Sequence, residues 1–148
     1  MGVETDLILD SGHAYNSILE SPQPSQDFAG VYAKGLDHFN LLSLAALIDG
    51  EIPPQFEDPD DAMSQFEMVT STPDGFVAVW RVPAKTTSAL HKLADLNTRD
   101  IAARWQQTPF FELMDWDEEI TVAFLNDLQT MLGRPDAQDK DVLVWVSV

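Results

Sequence analysis

The chain has 148 residues, the usual length of one domain, and its hydrophobic fraction of 45% excludes wholesale disorder. It has no cysteine, which excludes disulfides, thiol catalysis and cysteine-ligated metal centres. Eight basic and 25 acidic residues give a formal net charge of −17, and a surface this negative repels nucleic acid and anionic lipid but attracts basic proteins.

The N-terminal segment predicts a strand and no targeting signal. Residues 1–10 lack the basic start and the apolar run of a signal peptide, and the longest apolar stretch, 41–48, is far shorter than the ~20 residues that span a bilayer. We therefore expect a cytoplasmic protein that does not enter membranes. Residues 3–10 predict the first strand, which ends at Ser11-Gly12.

The next segment combines a short helix with irregular structure. Helical spacing predicts a helix over 13–20, and the proline and serine content of 21–25 predicts a loop. Residues 28–34 are ambiguous, because Gly30 and Gly35 argue against a regular element there.

A buried helix and an acidic segment follow. The apolar residues of 36–49 surround most of the helix, Asp37 suits the N-cap, and Gly50 suits the C-terminal stop. Residues 51–61 form an acidic, proline-containing loop, which we expect to be the most mobile part of the chain.

The second half begins with a hairpin. Two strands over 66–70 and 76–82 are predicted across the turn Pro73-Asp74-Gly75. Pro83 suits the first turn of a helix that continues to Leu96.

Two further helices are predicted before the last strand. Asn97-Thr98 suits the N-terminus of a helix that ends before Pro109. The last helix is predicted to start at Asp115, because Glu118 stands at the capping-box position, and to end at Gly133.

The apolar run 142–146 predicts a central strand that is covered on both faces. The order of elements then predicts one α+β domain over residues 1–148, with a small mixed sheet of about four strands packed with about five helices.

Several short motifs suggest a family. They are Met1-Gly2 with the first strand, Leu19-Glu20-Ser21, Leu47-Ile48-Asp49-Gly50, Asp74-Gly75-Phe76 running through Trp80, the helix 97–105 and the closing strand 141–148. In these motifs the chain resembles the YfbM-like family, a bacterial family of unknown function. The resemblance implies an α+β fold, and some similar proteins belong to bacterial toxin–immunity neighbourhoods. Leu41 and Ala45 stand where that family usually has a Trp and a His, so no functional residue is carried over.

The sequence offers no pattern for catalysis or metal binding. His13, His38 and His91 lie in separate elements without the spacing of a helix-borne zinc pair. The acidic runs 58–61 and 115–119 lack the glycine and the glutamate of a calcium loop. We therefore predict no catalytic residue, no metal and no cofactor.

The charge is distributed unevenly. Residues 1–74 hold 14 acids and one base (−13), and residues 75–148 hold 11 acids and seven bases (−4). Acidic residues cluster near 49–61 and near 112–119, beside the aromatic residues Phe56, Phe110, Phe111 and Trp116. Aromatic anchors ringed by charge are typical of a binding face. The predicted partner-binding residues are Glu57, Asp58, Asp60, Asp61, Phe110, Phe111, Glu112, Asp115, Trp116, Asp117, Glu118 and Glu119.

These features favour a non-enzymatic acidic protein that binds a basic protein partner. A bacterial immunity protein that neutralises a basic toxin fits best. Two alternatives stay open: a small enzyme whose site is assembled from scattered residues in a polar pocket, and a housekeeping interaction module. An ordinary acidic, solvated surface would also explain the charge.

Overall fold

The computed structural model describes residues 3–10 and 12–148, and it confirms the predicted α+β class. The Met1-Gly2 motif and Ser11 lie outside the described residues. The strands are β1 (Glu4–Leu9), β2 (Gly30–Tyr32), β3 (Glu67–Ser71), β4 (Val77–Arg81) and β5 (Val142–Ser147). The α-helices are α1 (Tyr15–Glu20), α2 (Pro24–Asp27), α3 (His38–Ile48), α4 (Ala84–His91), α5 (Thr98–Trp105) and α6 (Glu118–Leu132). Short 3-10 turns cover Pro59–Gln65, Lys92–Asp95, Phe111–Met114 and Pro135–Ala137.

The sheet corrects one detail of the prediction. Its five strands follow the order β2-β1-β5-β4-β3, and every neighbouring pair is antiparallel, so the sheet is not mixed and has one strand more than predicted. The extra strand is β2, within the segment that the sequence left ambiguous.

Gly30 explains why β2 was missed. A Cβ atom at Gly30 would lie 2.5 Å from Ile8 Cδ1 and 2.7 Å from the Leu7 carbonyl oxygen. Glycine is therefore needed for the close approach of β2 to β1, and it does not mark a break in regular structure.

The strand β5 lies at the centre of the sheet, as predicted. Val142 and Val144 face the large core, whereas Leu143 and Trp145 face a smaller cluster that α1 helps to cover. All four side chains are buried, which confirms that both faces of this strand are covered.

The large core lies between the sheet and α3 to α6. The prediction of α3 is confirmed, because the Asp37 carboxylate accepts a hydrogen bond from the Asn40 backbone N–H at 2.7 Å. The β3–β4 hairpin is also confirmed, with an irregularity between Met68 and Thr70. The predicted helix that ends at Leu96 is divided between α4 and a 3-10 turn.

The last helix begins later than predicted. Its N-cap is Asp117, whose carboxylate accepts a hydrogen bond from the Ile120 backbone N–H at 2.8 Å, while Asp115 has a left-handed backbone with φ of 55°. The predicted loop 21–25 similarly contains the start of α2, at Pro24.

In the described ranges, no helix is both long enough and apolar enough to cross a membrane.

Candidate protein-binding face

The two acidic segments of the sequence adjoin at the start of α3. The Phe39 ring, which is buried, has its centroid 5.8 Å from that of Phe56 and 5.2 Å from that of Phe110, both edge-on. Phe56 belongs to the 51–61 segment, and Phe110 opens the second segment. One core residue on α3 therefore joins two aromatic residues, Phe56 and Phe110, that are 54 positions apart in the chain.

Polar contacts fix the second segment to the same turn of α3. The Asn40 side-chain amide donates to the Phe110 carbonyl oxygen at 3.0 Å and to the Asp37 carboxylate at 2.8 Å. Burial raises the pKa of Asp37, the hydrogen bonds from Asn40 oppose this rise, and the negative charge of Asp60 adds to it. This electrostatic effect indicates that Asp60 also lies near the start of α3.

The rest of the second segment is anchored beside the residues that precede α3. The Trp116 indole N–H donates to the Lys34 carbonyl oxygen at 2.8 Å, and a Cβ at Gly35 would lie 3.4 Å from the Met114 carbonyl oxygen. Phe110 and Asp115 both have positive φ, 68° and 55°, at the two ends of the 3-10 turn. Non-glycine residues in this conformation cost free energy, so the surrounding contacts hold the segment in one shape.

Nine acidic side chains of the two segments are exposed. Among the residues that the structure describes, no ion pair joins them to a Lys or an Arg, whereas Asp49 and Glu51 pair with Lys92 and Lys85. We call these nine side chains the acidic face: Glu57, Asp58, Asp60, Asp61, Glu112, Asp115, Asp117, Glu118 and Glu119. Its members are close in sequence to the half-buried residues Phe56, Phe110 and Trp116, and together they carry nine negative charges.

Phe111 does not belong to this face. Its side chain is buried, and its ring packs against Trp105 at a centroid distance of 5.3 Å. In a 3-10 turn, side chains three positions apart lie on the same side, so Phe111 and Met114 face the core together. The structure therefore removes Phe111 from the predicted contact residues.

A large open groove lies next to the acidic face, and the sequence did not predict it. Its volume is about 740 Å³, and Trp116 and Phe124 contribute aromatic surface to it. Leu113 and Ile120, which line it, are 58% and 48% exposed. We call this feature the apolar groove. Ile120 lies four positions before Phe124 on α6, and this helical spacing predicts that both side chains face the core. Only the folded structure shows that Ile120 is exposed.

The histidines do not form a site together. His38 is buried, and burial lowers its pKa to about 4. His91 is the last residue of α4, and its ring nitrogen Nε2 lies 3.3 Å from the Lys140 carbonyl oxygen. In the part of the chain that the structure describes, no group of three or more His, Asp or Glu side chains could hold a metal ion.

His13 belongs to a polar cluster near the end of β1. The buried Asp10 carboxylate lies 3.1 Å from His13 Nδ1 and accepts a hydrogen bond from the Tyr15 hydroxyl at 3.2 Å, and Arg81 donates to the same hydroxyl. A carboxylate beside an exposed imidazole is an arrangement that suits a general base. These residues line neither the apolar groove nor the smaller groove of about 260 Å³ between α3, α4 and the 51–56 segment.

Comparisons with known proteins add no relative. No protein-family model matches the chain, and no curated protein or solved structure matches it significantly. The geometry of the acidic face and the apolar groove therefore carries the functional argument.

Proposed function

We propose that this protein binds a basic protein partner through the acidic face and thereby neutralises it, as an immunity protein neutralises a toxin. The observation that carries the proposal is the meeting of two acidic segments around half-buried aromatic rings, with none of the nine carboxylates paired to a base in the described chain.

The physics of association supports this function. Like charges held together on one surface repel, which costs folding free energy, and a cationic partner relieves that repulsion. Such a field also speeds encounter with an oppositely charged protein by about 10- to 1,000-fold at low ionic strength. The carboxylates would take the place of the anionic groups that the partner's cationic surface otherwise binds.

The bacterial setting is part of the proposal. The resemblance to the YfbM-like family, in motifs such as Asp74-Gly75-Phe76, supports a bacterial protein, and immunity is the role that the charge favours.

Affinity capture with three baits tests the proposal. The first bait is the wild-type protein, and the second carries Glu57→Lys, Asp60→Lys and Asp61→Lys. Asp58 is left unchanged, because its carboxylate accepts a hydrogen bond from the Asp60 backbone N–H at 2.9 Å and caps the 3-10 turn.

The third bait is the matched control, with Glu20→Lys, Asp95→Lys and Asp139→Lys. These residues are also exposed but belong to other parts of the fold. Both triple variants change the net charge from −17 to −11, since each substitution adds two positive charges. Thermal unfolding of all three baits confirms that they are folded.

The expected result is one basic protein retained by the wild-type and control baits but lost from the face variant. That protein should be toxic when expressed alone, and co-expression of the wild-type chain should remove the toxicity. Retention of the same protein by all three baits, or a captured partner that is acidic, would contradict the proposal.

A further inference from the structure

We propose that the apolar groove receives the apolar side chains of a basic amphipathic segment of the partner. This inference rests on the proposed function and adds the chemistry of the segment that docks. The acidic face supplies the attraction, and the groove supplies the apolar contacts beside it.

Exposed apolar surface is concentrated at the groove. In the described residues, ten large hydrophobic side chains are exposed, and four of them line this groove: Val3, Tyr32, Leu113 and Ile120. Isolated exposed apolar residues are normal on a soluble protein, but a contiguous group is typical of an interaction surface. A volume of about 740 Å³ exceeds that of any single side chain, so the groove can hold two neighbouring apolar anchors.

The floor of the groove is fixed before any partner binds. The Trp116 ring packs against Phe124 at a centroid distance of 5.1 Å and against the buried Trp105 at 5.8 Å, while its N–H is bonded to the Lys34 carbonyl oxygen. Because these contacts immobilise Trp116 in the free protein, binding there costs little ordering entropy.

Charge selects the occupant. Asp115 and Asp127 line the groove, and the Nζ atom of Lys34, which also lines it, lies 3.7 Å from a carboxylate oxygen of Glu4. A fatty acid or another anionic amphiphile would be repelled by these carboxylates. A second copy of this chain carries the same charge of −17 and is also disfavoured. A segment with apolar residues on one face and Lys or Arg on the other satisfies both the groove and its rim.

Titration calorimetry with a designed peptide tests the inference. The probe is a synthetic helical peptide of leucine and lysine with all leucines on one face. Its control has the same composition but is scrambled, so that the leucines are spread around the helix. We expect the wild-type protein to bind the amphipathic peptide about tenfold or more tightly than the scrambled one, because only the former presents adjacent anchors.

Two double variants locate the binding. Leu113→Gln with Ile120→Gln removes apolar surface from the groove, and Met68→Gln with Phe76→Gln removes it from positions of similar exposure, 49% and 60%, on the β3–β4 hairpin. The groove variant should bind the amphipathic peptide about tenfold or more weakly, and the hairpin variant should bind within about twofold of wild type.

Equal affinity of the groove and hairpin variants, equal affinity for both peptides, or no binding of either peptide would overturn the inference. A dimer of the wild-type chain that the groove variant abolishes would also overturn it, because a second copy would then be the occupant. These failures differ from failure of the proposed function. If the groove fails but the face variant still loses the captured partner, the acidic face acts without the groove.

Discussion

His38 gives a sharp prediction about pH and stability. It lies in the first turn of α3, its ring meets Phe66 and Trp80 edge-on at centroid distances of 4.6 and 5.0 Å, and its Nε2 atom is buried without a hydrogen-bond partner. Burial lowers the pKa of His38 from its ordinary 6.5 to about 4. The perturbation is His38→Phe, which keeps an aromatic ring in this position and removes the titration.

The direction of the effect follows from proton uptake. Between pH 6.5 and about 4, the unfolded chain binds a proton at His38 that the folded protein does not bind, so wild-type stability falls as the pH falls. One pH unit of pKa difference corresponds to about 1.4 kcal/mol. The full difference between 6.5 and about 4 is therefore worth about 3 kcal/mol.

The assay is urea unfolding of both proteins at several pH values between 4 and 7. Asp6 and Asp37, whose pKa values are raised by burial, titrate in both proteins and cancel in the comparison. We expect the free energy of unfolding of wild type, relative to the His38→Phe variant, to fall by up to about 3 kcal/mol from pH 7 to pH 4. Parallel pH profiles of the two proteins would refute this reasoning.

Two further substitutions test the local structure. Asp117→Ala removes the side chain that caps α6 and should lower the free energy of unfolding by about 1 kcal/mol. Asp115→Gly should lower it much less, because glycine readily adopts the φ of 55° found there. Chemical denaturation of the two variants side by side decides whether Asp115 or Asp117 caps the helix. Gly30→Ala should destabilise the protein by about 1–3 kcal/mol, because its Cβ would lie 2.5 Å from Ile8 Cδ1; an unchanged melting temperature would mean that β1 and β2 tolerate the methyl group.

Local chemistry predicted much of the fold. The Asp37 cap, the apolar run of β5 and the turn before β4 each depend on residues adjacent in sequence, and the structure confirms all three. The start of α6 was predicted wrongly because Glu118 stands three positions after Asp115, which is the spacing of a capping box. Asp117 offers a second capping side chain two positions later. Asp117 is the residue that caps the helix, and Trp116, which lies between the two aspartates, donates its indole N–H to the Lys34 carbonyl oxygen.

The candidate site depended on contacts that the sequence does not display. The acidic residues and their aromatic neighbours were visible as clusters, but nothing in the order of residues predicts that Phe39 joins Phe56 to Phe110. Nor does spacing reveal that Phe111 is buried while Leu113 is exposed, because a 3-10 turn was not predicted there. The face and the groove are products of tertiary packing.

The most direct test of the central claim is the association rate of the captured partner, measured against ionic strength. The comparison uses the wild-type protein, the Glu57→Lys, Asp60→Lys, Asp61→Lys variant and the matched control. We predict that the wild-type and control rates fall steeply with salt, because the screening length shortens from about 10 Å at 0.1 M to about 3 Å at 1 M. The face variant should associate at least about tenfold more slowly at low salt and depend less on salt, with little change in dissociation. Equal association rates for all three proteins, unaffected by salt, would contradict the account.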